Sequence, residues 1–120
     1  LYTIMKNETY LGVWCTMGPI SIYQFNQFSK HGLNAIRIFQ YIKTMEGLQK
    51  KRSNNSLPVP GDRLWVKIEN KNLYKWFGVH QPAKWVVCNK LKKAKLIKYE
   101  TQGVGRAPLS KIICPEKNLN

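Results

Sequence analysis

Two prolines and a glycine fall within the ten residues SNNSLPVPGD, Ser53 to Asp62. Proline fixes its own backbone and donates no hydrogen bond, so this stretch runs neither as a helix nor as a central strand. It divides the 120-residue chain into two parts with different hydrophobic periods. Before it, Ala35, Ile38, Ile42 and Met45 share one helical face, and Ile36 and Phe39 widen the stripe. Asn34 is placed to cap this helix, which is expected to run to about Lys51. The basic Lys50-Lys51-Arg52 suits its negative end. Upstream, residues 1–19 read as irregular chain or short strand, with Pro19 placed to open a helix. Ile20 to Lys30 fits neither period cleanly, and Gly32 is a break.

After the linker the period is two. Leu64, Val66 and Ile68 alternate with Trp65, Lys67 and Glu69, as in a strand buried on one face. Strands are expected at Arg63–Asn70, Leu73–Val79, Lys84–Asn89, Ala94–Glu100 and near Arg106–Leu109. Asn70-Lys71-Asn72, His80-Gln81-Pro82, Asn89-Lys90 and Gln102-Gly103 read as the turns between them. Five short strands with tight turns predict a small closed or half-closed barrel. The expected architecture is α+β: a helical segment over 1–52, a linker over 53–60 and an all-β barrel over 61–115.

Charge narrows the function. Twenty Lys and Arg stand against six Asp and Glu, a formal +14. Residues 1–60 carry 7 basic and 2 acidic residues (+5), and residues 61–120 carry 13 and 4 (+9). Such an excess repels itself unless a polyanion is near, and nucleic acid is the expected partner ahead of an anionic membrane surface. No apolar run is long enough to cross a bilayer. "LYTIMKNETY" lacks the pattern of a secretory signal, and the opening on Leu1 rather than Met leads us to expect a piece of a longer protein.

Cys15, Cys88 and Cys114 are too few and too scattered for a disulfide framework or a zinc site. The expected location is intracellular, in the nucleus or a virion. "NET" at Asn7 and "NNS" at Asn54 match the glycosylation acceptor, a short pattern that needs a secreted context.

The candidate nucleic-acid contacts are Arg63, Trp65, Lys67, Lys71, Lys75, Trp76, Lys90, Lys92, Lys93, Lys95, Lys98, Arg106 and Lys111. Lys84 belongs to the same basic-aromatic set. Lysines release counterions from phosphates and flat side chains stack on bases or sugars. Singly, each lysine is explained by solvating the outside of a barrel, and Trp76 by a place in the core. Together they favour a polyanion; the alternative is an SH3-like protein-interaction module whose barrel groove takes a peptide, the charge serving solubility or localisation. The run Asn89 to Tyr99 is amphipathic as a helix. As a hairpin it separates Lys95, Ile97 and Tyr99 from Ala94, Leu96 and Lys98, and its flanking turn signals favour the hairpin. A nuclear-localisation patch is a further reading of the same run.

No chemistry stands out. Cys15 followed far downstream by His80 has the order of a thiol-hydrolase pair, but a buried cysteine and a turn histidine explain both. Glu8, Glu46, Asp62, Glu69, Glu100 and Glu116 show no ligand spacing. Gly103 to Arg106 reads as a turn rather than a phosphate loop. No catalytic residue, metal ligand or cofactor is expected in this chain.

The segment "PGDRLWVKIENKNLYKWFGVHQPAKWVV", after a basic helix and a proline-containing linker, resembles the C-terminal region of retroviral integrases. The likeness is chiefly to the gammaretrovirus type of murine leukemia viruses and related endogenous elements. Gly61-Asp62-Arg63-Leu64-Trp65-Val66 matches the family's opening strand. Trp76-Phe77-Gly78 with Pro82 and Val86 matches the middle, and Leu109-Ser110-Lys111-Ile112 the close. The likeness covers residues 58–114. It needs an insertion at Val79-His80-Gln81, and the tryptophan usual in the last strand is replaced by Gly105-Arg106-Ala107-Pro108. It implies an SH3-like barrel within an integrase encoded in a Pol polyprotein. That barrel would bind viral DNA ends or target DNA beside other integrase subunits. The polynucleotidyl-transferase centre would lie upstream, outside this chain.

Overall fold

Ser21 opens the first helix of the computed structural model, which describes residues 9–10, 13–14, 20–52 and 64–116. Ahead of it lie two two-residue strands, β1 (Thr9–Tyr10) and β2 (Val13–Trp14), paired antiparallel. The helix, α1, spans Ile22–Ser29. The Ser21 side chain accepts from the Gln24 N–H at 3.2 Å, which satisfies one of the orphan donors of the first turn. Gly32, at φ 101°, reverses the chain into α2, Leu33–Arg52. The expected helix is therefore present, and it begins one residue before Asn34 instead of being capped by it.

Ala35, Ile38, Phe39, Tyr41 and Ile42 of α2 are fully buried. Phe39 stacks on Phe28 of α1 at 4.4 Å between ring centroids. The linker 53–60 lies outside the described residues. One core takes side chains from both sides of it, from Phe28 through Ile42 to Val66, Ile68, Leu91 and Ile112. Polar bonds cross it too. The Leu64 N–H donates to the buried Glu46 carboxylate at 3.1 Å. The Tyr41 hydroxyl donates to the Lys67 carbonyl at 3.2 Å and accepts from the Glu69 N–H at 3.3 Å.

Beyond the linker the chain runs β3 (Val66–Lys67), α3 (Asn70–Phe77), α4 (Gln81–Lys93), β4 (Ile97–Glu100) and β5 (Leu109–Ile112). The three strands form one antiparallel sheet in the order β3-β5-β4, with Val66 opposite Ser110 and Lys98 opposite Lys111. Around Val66 the expected alternation holds: Val66 and Ile68 are buried, and Lys67 and Glu69 are exposed.

The SH3-like barrel is not present. The sheet is open, and the strands expected at Leu73–Val79 and Lys84–Asn89 are helices. The reasons are local. In a strand Lys75 would share a face with Leu73 and Phe77. In a helix Leu73 and Phe77, four apart, turn inward together while Tyr74 and Lys75 face out. Asn70-Lys71-Asn72, expected as a turn, is the first turn of α3, where the Asn72 amide donates to the Glu69 carboxylate at 2.9 Å. Pro82, expected as a breaker, sits in the first turn of α4, where its missing N–H costs nothing. Asn89-Lys90, expected as a turn, lies inside α4. Ala94 and Lys95 end that helix instead of starting a strand, and the last strand lies later than Arg106–Leu109.

Candidate nucleic-acid interface

α3 and α4 are joined by only three residues, Gly78-Val79-His80. Gly78 takes the left-handed conformation (φ 72°) and its N–H closes α3 on the Tyr74 carbonyl at 2.9 Å. Val79 is buried and pins the turn to the core. His80 is the residue before the first turn of α4, makes no side-chain bond to it, and has its ring 4.6 Å from that of Tyr74. A short glycine-containing turn between two helices is the plan of a helix-turn-helix.

α4 is held by one side only. Lys84, Val87, Cys88 and Leu91 face the core. Opposite them Pro82, Trp85, Val86, Asn89 and Lys93, each three or four residues from another of the set, make one outward face. Trp85 is 61% exposed and Val86 54%. The Asn89 amide donates to the Trp85 carbonyl at 2.8 Å.

Lys84 does not belong to the basic surface. It is 4% exposed, and its ammonium donates to the Ile68 carbonyl at 3.3 Å. Burial lowers its pKa, because the charged form loses its water. It ties α4 to the end of β3. One turn on, burial pushes the Cys88 thiol up to about 12, which leaves it protonated and unreactive at neutral pH. Tyr99 is likewise raised to about 12 by burial.

The other candidate contacts fall into separate groups. Lys90, Lys92 and Lys93 are exposed on the last turns of α4, and Lys95 and Lys98 follow, also exposed. Lys71, Lys75 and Trp76 are exposed on α3, where Trp76 also lies 6.0 Å from Tyr41 between ring centroids. Lys67 is exposed on β3. Trp65 is half-buried beneath the Lys111 ammonium, 5.9 Å from the ring centroid. That is a cation–π contact within the protein, so this indole is already partly occupied. Arg106 is exposed in the β4–β5 loop, beside a fully exposed Val104 flanked by Gly103 and Gly105. Arg63 and Cys15 lie outside the described residues.

Lys95 is the one described non-glycine residue with positive φ, 62°. It ends α4 in a Schellman arrangement, with Lys95 N–H to the Lys92 carbonyl and Leu96 N–H to the Leu91 carbonyl, both at 3.0 Å. Glycine is the residue this position favours, so lysine here adds a charge at a cost in backbone strain.

From Asn70 to Tyr99, thirty residues hold eight lysines and no acid. Seven of the eight, all but Lys84, are exposed. The stretch spans α3, the three-residue turn, α4 and the first residues of the β4–β5 hairpin. Sequence reasoning missed Trp85, Val86 and Asn89, the middle of the outward face. Their signal was present: Lys84, Val87, Cys88 and Leu91 repeat at helical spacing once Pro82 is taken as a helix start.

No group of three His, Cys, Asp or Glu side chains able to hold a metal occurs among the described residues, and no described helix is long and apolar enough to cross a membrane. Comparison with family models, with curated proteins and with solved structures finds no match.

Proposed function

We propose that this chain binds double-stranded DNA as a helix-turn-helix of the winged kind. α3 and α4 are the helix pair, α4 enters the major groove, and the β4–β5 hairpin is the wing beside it. The observation that carries the reading is the acid-free, lysine-rich helix-turn-helix whose second helix leaves one whole face unpacked. The major groove of B-DNA is wide enough for an α-helix, whereas that of A-form RNA is too narrow for side chains to read, which favours DNA as the duplex. Lys90, Lys92, Lys93 and Lys95 at the end of α4, Lys71 and Lys75 on α3, and Arg106 in the wing are the phosphate contacts. Such contacts set position and affinity without reading sequence. The proposal keeps DNA from the integrase resemblance. The barrel through which integration was expected to act is replaced by helices and an open sheet, which also leaves no barrel groove for a peptide.

The test is the salt dependence of duplex binding by the full chain. The logarithm of the binding constant falls against that of salt by about 0.9 for each phosphate neutralised. Lys92→Glu with Lys93→Glu lowers that slope by about two and weakens all sequences alike. A flat salt response, or unchanged binding by the double variant, overturns the reading.

A further inference from the structure

We infer that α4 selects A·T base pairs, chiefly by packing Val86 and Trp85 against the thymine 5-methyl group. The inference rests on the helix-turn-helix reading and adds the class of sequence. In a docked helix-turn-helix the N-terminal residues of the second helix meet the base edges. In α4 the first nine residues run from Gln81 to Asn89. They hold no arginine, and their one lysine, Lys84, is turned into the core on the Ile68 carbonyl. Guanine presents two acceptors, O6 and N7, and is read best by a cation. These nine residues offer it none.

What this stretch does present is Pro82, Trp85, Val86 and Asn89, with Gln81 at the start. Exposed apolar side chains on a face flanked by lysines have one apolar partner in the major groove, the thymine methyl. Val86 lies at the middle of the outward face, and Trp85 widens it. Gln and Asn are the side chains that match adenine, accepting from N6 and donating to N7. The bond from the Asn89 amide to the Trp85 carbonyl steadies that side chain and leaves its oxygen to accept the adenine N6 proton. The apolar and amide groups thus complement the two bases of one pair. The cations are held back to Lys90 and beyond, where the helix leaves the base edges and meets phosphate.

The experiment is fluorescence anisotropy with the full chain and short labelled duplexes of equal length at one salt concentration. One is alternating A·T, one alternating G·C, and one the A·T duplex with deoxyuridine for every thymidine. Deoxyuridine removes only the methyl. The A·T duplex is expected to bind about tenfold or more tighter than the G·C duplex. Deoxyuridine is expected to weaken binding about fourfold per contacted methyl, the worth of one buried carbon. Val86→Ala, on an exposed position, is expected to shrink the ratio of thymidine to deoxyuridine affinity, whatever it does to the deoxyuridine affinity itself; an unchanged ratio overturns the role given to Val86. Equal binding of the thymidine and deoxyuridine duplexes, or of A·T and G·C, overturns the inference and leaves salt-dependent DNA binding standing. Absence of salt-dependent binding to every duplex overturns both.

Discussion

α2 and α4 pack against the same core and are used in opposite ways. None of residues 34–49 of α2 is exposed, whereas seven of the thirteen residues of α4 are. α2 is enclosed by α1 on one side and by α3, α4 and the sheet on others. Over residues 34–49 it turns no exposed side chain to the solvent. α4 gives the core four buried residues and the half-buried Ala83, and turns most of the others to solvent. The difference separates a helix enclosed by the core from one that the proposed reading gives to recognition. It also explains why Trp85 and Val86 of α4 lie outside while Phe39, Tyr41 and Ile42 of α2 lie inside.

The comparison breaks most easily at Phe39. Phe39→Ala removes a fully buried ring stacked on Phe28, and a loss of about 3–5 kcal/mol is expected in urea unfolding. Trp85→Ala, an equally large truncation on α4, is expected to change stability by less than about 0.5 kcal/mol. Equal losses at the two sites would mean that α4 is also structural. A smaller effect is expected at the end of α4. Lys95→Gly relieves a left-handed lysine and is expected to stabilise the fold by about 1 kcal/mol while weakening DNA binding. A loss of stability would show that the lysine side chain, not the backbone, holds this turn.

The gentlest effect is with pH. The folded pKa of Lys84 is lowered below the ordinary value of 10.5 by burial. Between those two values the unfolded chain binds more protons than the folded one, so stability rises with pH through that window and is flat below it. The other lysines contribute their own dependence. The expected signature is therefore a difference: the rise seen in the wild type on going to alkaline pH is smaller in Lys84→Met. Identical pH profiles would show that Lys84 reaches water.

The parts legible in the sequence were those with a single reading. α2 announced itself because six apolar positions keep a helical period, and Val66–Ile68 because their alternation has a short, half-buried strand to match. The helix-turn-helix was hidden by two ambiguities. Aromatic Tyr74, Trp76 and Phe77 favour strands by propensity, yet the spacing of Leu73 and Phe77 and the left-handed Gly78 settle on a helix. Pro82 ends a segment in one reading and begins one in another, and tertiary packing of Leu91 and Val87 decides. The basic composition survived both errors, because net charge does not depend on which element carries it. The face proposed to select bases did not, since Trp85 and Val86 become neighbours on one surface only when the segment is helical.

The bond from the Gln24 amide to the Cys114 carbonyl, at 2.7 Å, joins residues ninety positions apart. Together with Phe28 on Phe39 it means that the proposed reading head is not an autonomous unit beginning after the prolines. A fragment cut there would lose α2 outright, and one cut before Leu33 would leave Phe39 bare and the Cys114 carbonyl without its donor. The smallest self-sufficient piece of this chain therefore starts at or before Ser21 and must reach Cys114.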